Sequence, residues 1–124
     1  MEAKGITQIY FIPTLGGSPA RSHRYTGAVW IAEDMWGQMP LEHRFFVLLH
    51  EDAHIKFDTQ DEFLADEYAF KEYARRGYSL SESIKALTRI LKFDNPEHIK
   101  RAYNMLLTAQ DYDYNINKNM NAYG

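Results

Sequence analysis

Short apolar runs open the chain, and helical periodicities close it. Residues 6–12 are β-branched and aromatic and stop at Pro13, which predicts a strand. Gly16, Gly17, Ser18 and Pro19 predict a loop, followed by a basic run over residues 21–24. Residues 25–32 (YTGAVWIA) predict a second strand, and residues 34–39 a connection. From Leu41 the period changes to that of a helix, with Phe45, Leu48 and Leu49 at helical spacing and Pro40 at its first turn. That helix runs through residues 50–54 and breaks over residues 57–59. A second helix spans residues 61–76, with Phe63, Ala69, Phe70 and Tyr73 on or near one face and Gly77 ending it. A third, capped by Ser79 or Ser81, reaches about residue 93, and Ser79 and Glu82 have capping-box spacing. Asn95 and Pro96 start a fourth, carrying Ile99, Ala102, Tyr103 and Leu106.

Strands first and helices afterwards predict an α+β fold: a small N-terminal antiparallel or mixed sheet packed on about four helices. Residues 1–112 form one domain, and residues 113–124 a polar, mobile tail rich in Asn. The length of 124 residues suits a single domain, and hydrophobic residues at 45% supply its core.

Charge and composition narrow the function. The net charge is −3 without a basic stripe, which argues against nucleic acid. No stretch approaches the roughly 20 apolar residues of a membrane span. The N-terminal apolar run is too short for a signal peptide, so a cytoplasmic protein is expected. The chain has no cysteine, so a transition metal must be held by His and carboxylate.

That constraint meets one motif. His50-Glu51-Asp52-Ala53-His54 has the form H-E-x-x-H. Positions i and i+4 share a helix face, about 6 Å apart along the axis, so two imidazoles can converge on one ion. Glu51 projects beside that face, within reach of a water at the ion but not of the ion itself. The preceding apolar stretch buries this helix, where unpartnered His, Glu and Asp would be costly. A tetrahedral catalytic zinc takes three protein ligands and leaves one position open. Glu62 on the next helix can be the third ligand, and Asp66, one turn on, can accept the spare N–H of a ligand His. Asp58 and Asp61 are alternatives to Glu62, while His23, His43 and His98 read as ordinary histidines away from the ion.

H-E-x-x-H followed by E-x-x-A-D resembles the gluzincin metallopeptidases. Residues 62–69 (EFLADEYA) are similar to the glutamate-helix signature of M48-type and ImmA/IrrE-type peptidases, and the size resembles the minigluzincins. The resemblance covers roughly residues 25–77. It implies a zincin-like minimal domain with one Zn2+ on His50, His54 and Glu62, Glu51 as catalytic base and Asp66 behind the ligands. Two features depart from the pattern: Asp52 stands where an apolar residue is usual, and only seven residues separate His54 from Glu62.

The implied activity is hydrolysis of peptide bonds in a peptide or protein substrate. Glu51 takes a proton from water activated by zinc and passes it to the leaving amine. A second electrophile is expected among Tyr103, Tyr78 and His98, with Tyr68 and Arg101 as further candidates. An extended substrate pairs with an exposed sheet edge, expected from Gly27, Ala28, Val29 and Trp30. Residues 115–124 are a candidate self-inhibiting segment. The competing readings are a site-specific protease of one intracellular partner, and a non-catalytic zinc-binding adaptor or structural module. Nothing in the sequence sets an oligomeric state.

Overall fold

The computed structural model describes residues 4–92 and 94–123, with backbone alone at 80 and 113–123. The order is β1 (Gln8–Ile12), β2 (Ala20–Ser22), β3 (Ala28–Ala32), α1 (Glu33–Trp36), α2 (Leu41–Lys56), α3 (Glu62–Arg75), α4 (Leu80–Ile90) and α5 (Pro96–Tyr123). The fold is α+β, with a three-stranded mixed sheet in the order β1-β3-β2. β1 runs parallel to β3, and β2 antiparallel to it.

This order corrects the expected substrate edge. β3 carries Ala28, Val29 and Trp30, and it is paired on both sides. Gly27, just before it, gives its N–H to the His23 carbonyl and accepts from the Thr7 N–H. The basic run hides a strand that the sequence did not announce, and that strand, β2, takes the outer position. Pro19 and His23 direct backbone groups at β3, through Ala32 N–H to Pro19 O at 3.0 Å and His23 N–H to Ala28 O at 2.8 Å. Antiparallel alternation then turns the N–H and C=O of Ala20 and Ser22 away from β3, to the open edge.

α2 lies between two cores. Val47 and Ile55 pack with Ala20, Val29, Ile31 and Met39 on the sheet side. Phe46 and Leu49 face a larger cluster built from Ala69, Phe70 and Tyr73 of α3, Ala86 and Leu87 of α4, and Met105 and Ala109 of α5. This two-sided burial explains the near-continuous apolar run before the motif.

The helix ends follow the local chemistry. The Asp61 carboxylate accepts from Phe63 N–H at 2.9 Å and Leu64 N–H at 3.3 Å, opening α3. The Ser79 hydroxyl caps α4 through Glu82 N–H at 3.2 Å, and Asn95 Oδ1 accepts from Glu97 N–H at 2.9 Å at the start of α5. α3 ends at Gly77 with φ +91°. Gly77 N–H bonds Ala74 O and Tyr78 N–H bonds Tyr73 O, the two bonds of a Schellman motif. Its usual hydrophobic contact is the Tyr73–Tyr78 stack at 4.5 Å. α5 continues through residues 113–123, which the sequence had set apart as a tail. The self-inhibiting role expected of residues 115–124 falls on side chains outside the described ones. Among the described residues, no helix is long and apolar enough to cross a membrane.

Ala65 and Ala69 are fully buried, four residues apart on α3, and Ala69 packs in the cluster that includes Phe46 and Leu49. Ala69→Leu forces three extra heavy atoms into this contact and costs about 1–3 kcal/mol. Urea denaturation reads the loss, and an unchanged midpoint contradicts the close approach of α2 and α3.

Candidate metal centre

Helix α2 presents His50 and His54 on one face, as their spacing requires. Their Nε2 atoms lie 3.0 Å apart. Glu62, the first residue of α3, places Oε1 2.6 Å from His54 Nε2 and 3.6 Å from His50 Nε2. Donor atoms around a tetrahedral zinc with bonds of about 2.0–2.1 Å stand about 3.3 Å from one another. The three observed separations bracket that value, so a small outward shift of each side chain admits an ion.

The other ring nitrogens are engaged in a way that turns both Nε2 atoms inward. His54 Nδ1 donates to the Thr59 carbonyl at 2.8 Å. His50 Nδ1 lies 2.9 Å from Asp66 Oδ1, with the N–H direction off-line, so the contact is one of charge more than of a linear hydrogen bond. Carbonyl and carboxylate partners of this kind fix the tautomer and raise the basicity of ligand histidines. Asp66 thus stands where its spacing from Glu62 had put it.

Arg101 of α5 is the contributor that spacing did not reveal. It is buried, and it grips Asp66 with two bonds, Nε to Oδ2 at 2.8 Å and Nη2 to Oδ1 at 2.9 Å. Its Nη1 lies 3.0 Å from Glu62 Oε2. The guanidinium therefore occupies the Glu62 oxygen that faces away from the histidines and leaves Oε1 for them.

The electrostatics agree with a cation site. Burial alone pushes the His50 imidazole down, but the Asp66 and Glu62 carboxylates override it and carry its pKa up to about 9. His54 is also raised: burial opposes the charge, and the bond to Glu62 outweighs it. Burial pushes the Glu62 carboxyl up, but its two imidazole partners and Arg101 hold it well below the usual carboxylate range. The pocket attracts positive charge, and nitrogen and carboxylate donors suit zinc among the common ions. His50, His54 and Glu62 thus form a group that could hold a metal ion.

Glu51 is 7% exposed and makes no hydrogen bond or ion pair among the described residues. It borders a cleft of about 270 Å³ whose other walls include His54, Thr59, Glu62 and the open edge of β2 at Ala20 and Ser22. A second chamber of about 140 Å³ adjoins it and is lined by His50, Glu51, Glu62, His98 and Arg101 among others.

The remaining candidates are sorted by their contacts. His98 lines the second chamber; its Nδ1 accepts from Lys92 N–H at 2.8 Å, which leaves the proton on Nε2. Tyr78 is spent in the stack on Tyr73 and also packs on Phe45. Tyr103 is 65% exposed on α5 and borders neither cavity. Tyr68 accepts from the Lys56 ammonium at 3.1 Å and lies edge-on to Phe57. Asp58 pairs with Arg24 at 3.3 Å and Asp61 caps α3, so neither competes with Glu62. His43 bonds Glu82 at 2.9 Å, and His23 accepts from Thr26 N–H in the turn between β2 and β3. The unusual Asp52 accepts from Ile6 N–H at 3.1 Å, which ties the chain before β1 to the motif helix.

Comparison with known proteins finds no matching family model, no matching curated protein and no matching solved structure.

Two outcomes are expected. Glu62→Ala and His54→Ala each lower zinc affinity by at least about 10-fold, read by competition with a chelating dye; full retention of zinc by both excludes this centre. In the metal-free protein, the raised His50 pKa stabilises the fold below the ordinary value of about 6.5, and that stabilisation drains away as pH rises through about 9. The urea midpoint therefore falls between pH 6.5 and 9.5, and His50→Gln removes this part of the slope.

Proposed function

We propose that the chain is a zinc-dependent metallopeptidase. The carrying observation is the convergence of His50, His54 and Glu62 beside an unpartnered Glu51, on a cleft bordered by a free strand edge. The resemblance of the two motifs to gluzincins supports the same reading. When bound, zinc lowers the pKa of a coordinated water toward about 7 and polarises a carbonyl.

The chain's own residues supply the rest. An extended peptide pairs with the backbone of Ala20 and Ser22, as a strand added to β2. The scissile carbonyl then faces the three-ligand group, with Glu51 beside it. Glu51 receives the proton of the attacking water and delivers it to the departing nitrogen. His98 holds its Nε2 proton available for the developing negative charge on the carbonyl oxygen. Arg101 and Asp66 stay engaged with Glu62 and His50 and hold the ligands still.

Glu51→Gln keeps the shape of the cleft and removes the proton acceptor. Zinc content stays at the native level, and cleavage of a mixed peptide library falls by about 10²–10⁴-fold. Zinc bound with no cleavage by native protein or variant sinks the peptidase reading and favours a structural or adaptor module.

A further inference from the structure

The second chamber holds apolar space that the hydrolytic chemistry does not use. It shares Ala20, Glu51 and Glu62 with the open cleft, and Pro19, Ala20, Val47 and Ile90 supply apolar wall. Its volume of about 140 Å³ is close to the roughly 150 Å³ of a cavity known to hold benzene. A benzyl side chain is one methylene larger than benzene, and the polar groups of His50, Glu51, Glu62, His98 and Arg101 border part of the space, so an aliphatic side chain up to the size of leucine fits and phenylalanine crowds it. The apolar wall disfavours a charged side chain that would enter without a partner.

The walls differ in how far they can yield. Val47 is 2% exposed and locked into the sheet-side core. Ala20 is fixed by the pairing of β2. Ile90 is the last residue of α4, where the chain leaves the helix at Leu91 with ψ 147°. It is half-buried and packs only at the margin of the helical core. Ala20 belongs to the strand whose edge borders the main cleft, and side chains of a paired strand alternate between faces. Because Ala20, Glu51 and Glu62 line both spaces, a side chain next to the reacting bond can enter this chamber.

We propose that Ile90 sets the upper size limit of the substrate side chain accepted beside the scissile bond, and that this side chain is aliphatic. The inference rests on the peptidase reading for its substrate class. Its consequence is a preference of leucine or valine over phenylalanine at that position, by about 10-fold or more.

The test uses the full chain loaded with zinc and a series of peptidyl hydroxamates whose single varied side chain is Ala, Val, Leu, Phe or Lys. Binding is measured by calorimetry, and cleavage of the corresponding peptides is measured separately. Native protein binds the Leu probe about 10-fold or more tighter than the Phe and Lys probes. Ile90→Ala brings Phe level with Leu. Ile90→Phe, which fills the chamber, weakens Leu binding about 10-fold while zinc content is unchanged. Ile90→Val gives a smaller shift toward larger probes and serves if the alanine variant does not fold. Equal binding of all probes, no binding to the zinc-loaded chain, or a ranking indifferent to Ile90 overturns the proposal. Size-ranked binding that follows Ile90, without cleavage of any peptide, sustains it while sinking the peptidase reading. Cleavage with a ranking indifferent to Ile90 does the reverse.

Discussion

The arrangement depends on the salt link between Arg101 and the two acids of α3. Glu62 and Asp66 stand one turn apart, and His50 faces both of them from α2. Without a cation behind them, two carboxylates so close would repel, and one would take up a proton. Arg101 removes that conflict with three contacts of 2.8–3.0 Å from one planar group. It also joins α5, α3 and the two histidines of α2 through a single connected network. Breaking such a buried network by deleting one partner costs about 3–5 kcal/mol, while replacing the whole of it with apolar side chains is often neutral or stabilising. Stability alone does not call for this cluster.

The site was more legible in the sequence than the sheet. The convergence of His50 with His54, and the place of Asp66 one turn after Glu62, follow from helical geometry, because partners four residues apart share a face. The caps at Asp61, Ser79 and Asn95 and the stop at Gly77 are equally local, with side-chain or backbone partners within a few residues. Ser79 and Glu82 formed only half of the anticipated box, because His43 competes for the Glu82 carboxylate.

What escaped was long-range. β2 has three residues, one of them an exposed Arg, and it becomes a strand only because β3 lies beside it. Strand order depends on pairings across the sheet, which no local pattern records, and so the free edge was assigned to the wrong strand. Arg101 lies 35 residues from Asp66 in the chain, and its spacing within α5 reads as that of any partly buried arginine. Asp52 was visible as an oddity, but its partner is the main-chain N–H of Ile6, which carries no side-chain signature at all.

The short gap between His54 and Glu62 is a source of precision. Asp58 takes a left-handed φ of +46°, which Asp tolerates better than most side chains, and Arg24 holds it from outside. This reversal lets Thr59 face back to His54 twice, accepting from its Nδ1 and donating its own N–H to the His54 carbonyl at 3.1 Å. Thr59 Oγ1 then accepts from Asp61 N–H at 3.0 Å, and Asp61 caps α3. Asp58, Thr59 and Asp61 thus carry a constraint along the turn from His54 to Glu62. A longer loop would cost little closure entropy, because that cost grows only with the logarithm of length. It would, however, free the start of α3 to slide along α2, and Glu62 sits at that start. Brevity here fixes the relative position of two donors, which no amount of core packing further along α3 could do as directly.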